Sequence, residues 1–442
     1  AGPPRSGGPE ARAKGLAMHW LFLALLLSVA GLVLHRVLQA VHGSPEPLEA
    51  SPDEGATHAR IGGGSIRFVH ITDPQLGMRS MYEPDPGNWT SELSTFSALA
   101  RRAASLSPKP DLVFVGGDMQ NFWPNEPGGI GRNRNSHVPD GLLLALDLGR
   151  RQREDVRNAV HVLEQEGIRI IYTAGNHDIG DTPDSEQLSL FESEWGPLYQ
   201  VAMDRRGVVI LQLNSQLYWN SSADTVLRRF KESQMTWLRK QLGRVDTSTR
   251  LVVLLTHIPP FVASPYEEEG WGNWGQDDRR EVLDLLVSRL QPRRGGRGAV
   301  PVLWVCGHLH VNVVTSTTYR GMPVEVRISS SAGTTMQWGG KAELSPQEAS
   351  RIAVRNISDA FFEDLLGGPS IPEGAMVANR AERMKALPSR SGMRLFEVFP
   401  DGAFVDRWLT LDDLSTASFR ELLSGGRKRR PHRFFPQLGG KK

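Results

Sequence analysis

The sequence Ala174-Gly175-Asn176-His177-Asp178 closes an apolar run, residues 168–172, with the length and β-branched content of a buried strand. Gly175 permits a tight turn at the strand's end, and three side chains capable of metal or proton chemistry follow at once. α/β proteins place their sites in such turns, at the carboxyl ends of strands. Four further apolar runs end in the same way: 68–72 before Asp73, 112–115 before Asp118, 251–256 before His257, and 302–306 before His308 and His310. Taken singly, each has an ordinary explanation: a carboxylate capping a turn, a histidine bonded to a carbonyl, an asparagine in left-handed backbone. Five strand ends that all carry ligand-type residues point instead to one shared site.

The chain has 442 residues, more than one hydrophobic core usually serves, so one large domain with appendages or two domains is expected. A 39% hydrophobic and 23% charged composition is that of a globular protein, and a net charge of +2 gives no reason to expect nucleic acid as a partner. The single cysteine, Cys306, excludes an intramolecular disulfide and reads as a small apolar residue on a core strand.

Residues 1–15 are rich in Gly, Pro and Arg and read as unstructured. The run 16–34 is the one long apolar stretch, and a bilayer span takes about 20 such residues. It reads as a single-pass membrane anchor within 16–41, with a signal sequence cleaved near Ala40 as the alternative. Basic residues on both sides leave its orientation open. Residues 42–64 form a Pro/Gly/Glu-rich linker, and a domain is expected over 65–414. Within it, helical patterns at 92–106, 140–165, 185–195, 224–242 and 277–290 alternate with the apolar runs. Alternating strands at 312–318, 323–329, 393–399 and 403–409 close it. This order predicts an α/β fold of sheets covered by helices. The polar stretch 340–390 reads as an insertion, and 415–442 as a solvated basic tail. Residues 266–274, which follow a site strand, read as an exposed acidic loop or a substrate lid.

Asp73, Asp118, Asn176, His257, His308 and His310 together offer hard oxygens and imidazoles. That mixture suits Mn, Fe or Zn, and the lack of thiolates argues against a structural zinc site. A carboxylate between two cations about 3.5–4 Å apart can bridge them and activate a water for in-line attack. Asp118, after Gly116-Gly117, is the expected bridge. His308 and His310 stand two apart and would share a face in extended backbone. His177 diverges from its neighbour Asn176 and reads as a proton donor to a leaving alkoxide, with Asp178 placed to fix its tautomer.

Asp73-Pro-Gln75, Gly116-Gly-Asp118, Gly175-Asn-His-Asp178, Thr256-His257 and Gly307-His-Leu-His310, in that order, resemble the calcineurin-like metallophosphoesterase superfamily. Asp73-Pro-Gln-Leu-Gly77, Leu213-Asn-Ser-Gln216 and His257-Ile-Pro-Pro-Phe261 are most similar to its branch of serine/threonine protein phosphatases. The resemblance implies a four-layer α/β/β/α sandwich, a centre of two divalent metal ions and hydrolysis of a phosphorylated substrate. Carried over by position, it implies Asp73, Asp118 and His310 for one metal, with Gln75 where the superfamily usually has an imidazole. It implies Asp118, Asn176, His257 and His308 for the other, and His177 as proton donor. The arginine that large protein phosphatases carry just beyond the bridging Asp is replaced here by Met119-Gln120-Asn121; Arg132 and Arg134 in the downstream Gly-rich loop read as solvated, with substitution for that arginine as the alternative. A phosphodiesterase and a non-catalytic metal-binding module are the alternative functions.

Overall fold

The computed structural model describes residues 64–78, 87–121, 142–218, 225–270, 272–291, 298–333, 384–387, 391–411 and 413. The run 16–34, Arg132, Arg134, most of 340–390 and the tail 415–442 lie outside the described residues. Among the described residues no helix is long and apolar enough to cross a membrane.

Two sheets form the frame. β1 (Ile66–Ile71), β2 (Leu112–Val115) and β3 (Arg169–Tyr172) run parallel and are extended by antiparallel β11 (Gly392–Val398) and β12 (Phe404–Thr410), in the order β12-β11-β1-β2-β3. The second sheet has seven strands. β5 (Val208–Gln212), β6 (Leu251–Leu255), β7 (Val302–Cys306) and β9 (Met322–Ile328) are its parallel centre. β4 (Gln200–Arg205) flanks β5, while β8 (Asn312–Tyr319) and β10 (Met384–Leu387) lie beyond β9.

Continuous apolar runs are needed because the central strands bury both faces. On β1, Phe68 joins a core between the sheets, while Val69 and Ile71 join a core against helices Thr90–Ala104, Leu142–Gln165 and Ser185–Trp195. On β6, Leu251, Val253 and Leu255 face the inter-sheet core, while Val252 and Leu254 pack toward helices Thr225–Gly243 and Gln276–Leu290. The period-2 alternation thus distributes one sequence run between two cores, with helices on the outer face of each sheet. These strands and helices lie within a residue or two of their sequence expectation.

Three strands were not legible. β4 and β5 form a hairpin closed by Arg206 and Gly207, both at positive φ (56° and 74°), a turn usually marked by Asn-Gly. β10 lies inside the stretch 340–390 and pairs with β8, so this part of the expected insertion completes the sheet.

The inter-sheet core carries an ionic network. Asp406 on β12 accepts from Arg327 Nε of β9 at 3.0 Å and from Arg394 of β11 at 2.7 Å, so it ties one sheet to the other. Burial alone would raise the Asp406 carboxyl, but the two guanidinium groups override it and hold it down to about 2. A folded pKa below the unfolded value of about 3.9 means stability that is present above that value and lost as pH falls toward 2. Asp406→Asn leaves two buried cations without their shared counter-charge. It is expected to lower unfolding free energy at neutral pH by about 3–5 kcal/mol. In denaturant titrations it should also remove this group's share of the loss between about pH 4 and pH 2; a variant as acid-sensitive as the parent would contradict this.

Candidate metal centre

All five parallel strands named from sequence end on the same side of the fold, and their last residues converge. Donor atoms of Asp118, His257 and His308 lie within 4.8 Å of one another, and so do those of Asp73, Asp118 and His310. The five residues are buried, and Asp118 belongs to both groups. Within the groups, His257 Nε2 is 3.2 Å from Asp118 Oδ2, and His310 Nε2 is 3.3 Å from Asp73 Oδ1.

Backbone conformation aims these side chains. Asp73, Gln75, Asp118, His308 and His310 all have positive φ, between 37° and 70°. Left-handed backbone at a non-glycine residue costs about 1–3 kcal/mol, so it persists where the surroundings enforce it. Here the turns brace one another: Asp73 N donates to Gly117 O at 3.0 Å, Gln75 N to Asp118 O at 2.8 Å, and Gly307 N to His257 O at 2.9 Å. The Asp73 carboxylate accepts from His308 N at 3.1 Å through each oxygen. His308 and His310 therefore reach different groups through two left-handed residues, and not through the shared face of an extended strand. Gly175 has an ordinary extended conformation, with φ −100°. Its role is space, since a Cβ there would stand 2.1 Å from Asp118 Oδ1.

The chemistry of the donors fits a cation. The carbonyl of Gly116 can only accept, so His257 Nδ1, 2.8 Å away, carries a proton, and Nε2 faces Asp118 Oδ2 at 3.2 Å, where a cation would take the place of a second ring proton. Among the described residues, His257 Nε2 and Asn176 Oδ1 are buried without a hydrogen-bond partner. Burial would lower His257, yet the charges of Asp118 and Asp73 raise it to about 9. Burial would raise Asp118, and the surrounding histidines, His257 foremost, hold it below the usual carboxylate range. The His257 shift reports the carboxylate charge enclosed beside it, and the Asp118 shift reports the imidazoles that partly offset that charge.

His177 lies at the half-buried edge of this cluster. Its backbone N–H donates to Asp118 Oδ1 at 2.9 Å. Its Nδ1–H points to the Asn121 carbonyl at 2.9 Å, which leaves Nε2 to accept from the Gln75 amide nitrogen, also at 2.9 Å. The Gln75 amide oxygen is buried without a hydrogen-bond partner among the described residues. Asp178, expected to fix the His177 tautomer, does not; the carbonyl of Asn121 does. A carboxylate one residue from His177 on a helical turn points away from its ring. Asp178 instead accepts from the backbone N–H groups of Asp118 at 2.7 Å, Gly175 at 2.8 Å and Met119 at 2.9 Å. Burial, then the Asp118 charge, push its carboxyl up, against the Gly175 and Met119 N–H groups.

Nearby expectations also change. In the loop expected at 266–274, Tyr266, Glu268 and Glu269 are exposed, as an acidic surface loop would have them, but its other acidic residue is an anchor. Buried Glu267 accepts from the backbone of Val262, Ala263 and Ser264 at 2.7–3.0 Å, and Trp274 Nε1 donates to Ile258 O at 2.9 Å. Asn214 satisfies backbone, accepting from Gln216 N at 3.0 Å.

The sequence pattern of the calcineurin-like phosphoesterase family matches residues 66–312, more than half of the chain. The chain belongs to this family. Among phosphatase relatives, the serine/threonine-protein phosphatase CPPED1 of Danio rerio is 28% identical over 255 residues, covering 56% of this chain and 71% of that protein. CPPED1 of Homo sapiens is 26% identical over 270 residues, covering 60% and 74%. Of solved structures, a dimetal phosphatase from Danio rerio aligns with a TM-score of 0.40 and 12% identity, over 61% of this chain and 88% of that one. Calcineurin-like phosphoesterases use divalent metals, and this chain is a hydrolytic phosphatase of that type with Asp/His groups able to hold them.

Sequence reasoning missed Asn121, whose carbonyl does what was expected of Asp178, because a backbone acceptor leaves no mark in residue type. It also missed Ser330 and Ser331, whose hydroxyls reach the carbonyls of His310 and Asp73. Three consecutive serines after an apolar strand were the available signal. Replacing Asp178 by Asn puts an amide N–H against backbone N–H donors. Denaturant unfolding of Asp178→Asn should show a loss of about 1–3 kcal/mol. No loss of stability would refute the three-donor role.

Proposed function

We propose that this phosphoesterase is a phosphomonoesterase of the serine/threonine protein phosphatase type. The observation that carries the reading is the sharing of Asp118 by two buried Asp/His groups. In this reading Asp73, Asp118 and His310, with the Gln75 amide oxygen, would hold one divalent cation. Asp118, Asn176, His257 and His308 would hold the other. Oxygen and imidazole donors without thiolate suit Mn, Fe or Zn. Such ions, when bound, neutralise phosphoryl oxygens and acidify water.

The chain's own residues supply the rest. Asp118 belongs to both groups, and the His177 backbone N–H holds its Oδ1 at 2.9 Å. His177 is the proton donor. With Nδ1–H on the Asn121 carbonyl, the ring must first gain a proton at Nε2, displacing the Gln75 N–H that Nε2 accepts, and that Nε2 proton is the one passed to the departing alkoxide as the P–O bond breaks. The Gln75 amide beside it turns the imidazole to that task. A phosphoserine or phosphothreonine substrate is supported by the CPPED1 relatives, whose names give serine/threonine-protein phosphatase.

Chelation should abolish turnover of p-nitrophenyl phosphate, and Mn²⁺ should restore it. His177→Ala should lower kcat by about 10²–10⁴-fold, the range for a lost general acid. Faster turnover of bis(p-nitrophenyl) phosphate than of the monoester would replace this reading with a phosphodiesterase. Turnover of neither, with metal bound, would replace it with a binding module.

The apolar run 16–34 supports tethering of this phosphatase to a membrane. Expressed chains are expected in the membrane pellet after an alkaline carbonate wash, and a deletion of 16–34 in the wash supernatant. An unaltered chain released by that wash would sink the tether.

A further inference from the structure

The segment Ser329-Ser330-Ser331-Ala332-Gly333 follows β9 and lies beyond the region the family pattern matches. All three serines are buried and their hydroxyls are engaged: Ser329 Oγ lies 3.0 Å from His70 Nδ1, and Ser331 Oγ accepts from Gly333 N at 3.1 Å. Ser330 Oγ donates to the carbonyl of His310 at 2.8 Å, and Ser331 Oγ to the carbonyl of Asp73 at 2.5 Å. Ala332 N donates to Thr72 O at 2.7 Å, just ahead of Asp73, and Gly333 N to Asp73 O at 3.4 Å. Gly333 passes so close to the Asp73-Pro74 turn that a Cβ there would stand 1.8 Å from the Pro74 carbonyl oxygen.

The two residues gripped are a pair. Asp73 and His310 have φ 52° and 51°, and their side chains meet at 3.3 Å. A left-handed residue outside regular structure turns its carbonyl away from any ladder, and in a core that carbonyl needs a donor. The serine hydroxyls are those donors, so they hold the conformation that aims both side chains.

The segment is itself anchored from the other sheet. Arg394 on β11 donates from Nε to Ser329 Oγ at 3.1 Å, and from its amino groups to Ile328 O and Asn312 Oδ1 at 3.2 Å. Asn312 Oδ1 also accepts from Ser330 N at 3.1 Å. The Asp406 carboxylate holds the same guanidinium at 2.7 Å.

We propose that Ser330 and Ser331 are positioning residues for the Asp73–His310 half of the centre, with Arg394 as their anchor. This rests on the reading that Asp73 and His310 hold a cation. That half has Gln75, an amide, where the superfamily usually has an imidazole, so its affinity depends more on the aim of the two strong donors that remain.

The test is calorimetric titration of Mn²⁺ into the full chain after chelation, with Ser330→Ala and Ser331→Ala made separately. His310→Ala identifies the binding step that belongs to this half. Each serine variant should weaken that step about 10–100-fold, the usual effect of losing a residue that orients a ligand, and leave the other step within about twofold. At saturating Mn²⁺ each should recover the parent kcat, whereas His177→Ala should not. Equal weakening of both steps, or no weakening, overturns the proposal even if turnover is metal-dependent. An unaltered chain that takes up no Mn²⁺ overturns the metal reading itself, and this proposal with it. Should one serine variant fail to fold, the other carries the same comparison.

Discussion

Two buried carboxylates and three buried imidazoles have been brought into two overlapping groups, with donor atoms within 4.8 Å of one another in each, and the fold around them is arranged to tolerate it. Enclosing like charges away from water is unfavourable unless opposite charge or hydrogen bonds compensate. The compensation available from protein is partial. The Asp73 carboxylate has backbone N–H from His308 and the Thr72 hydroxyl, and Asp118 has the N–H of His177. The remaining demand for positive charge appears in His257, raised to about 9 by the carboxylates despite its burial. A site with this imbalance is organised for cations and not for packing.

The backbone strain at the site sets a scale. Five non-glycine residues at positive φ, at about 1–3 kcal/mol each, approach the whole net stability of a domain, about 5–15 kcal/mol. Such strain survives because the two sheets are rigid up to the last residue of each strand. Phe68, Leu112, Leu251 and Leu303 meet in the core between them, and Asp406 joins Arg327 to Arg394 across it. The packed cores on both faces of the sheets stabilise the frame, and the loops at the strands' carboxyl ends use part of that stability to hold residues that would otherwise relax.

What the sequence made legible follows from the same division. Strands buried on both faces leave uninterrupted apolar runs, and five such runs that each stop at a ligand-type residue announce a site, although any one of them alone would not. The side-chain directions were hidden, since they depend on φ. Extended backbone predicted one face for His308 and His310, and the left-handed turn sent them to separate groups. The partner of His177 was hidden for another reason: proximity in sequence favoured Asp178, whereas the acceptor is a main-chain carbonyl at Asn121, which any residue could supply. The β4–β5 hairpin escaped because Arg206 occupies a left-handed position without the Asn or Gly that normally marks it.

Gln75 shows how one change of residue type redistributes roles. An imidazole presents one lone pair to a cation and keeps one N–H for a partner. A primary amide presents an oxygen and two N–H groups, so it can face the cluster with one end and hold the His177 ring with the other. The amide oxygen is a weaker donor than imidazole nitrogen toward Mn, Fe or Zn. Affinity lost at that position must be recovered from geometry elsewhere in the same half. The serine hydroxyls on the Asp73 and His310 carbonyls supply that geometry, because a donor already held in place loses little freedom when it binds. In this arrangement the amide orients the proposed proton donor, and the aim of Asp73 and His310 compensates for what the amide gives up.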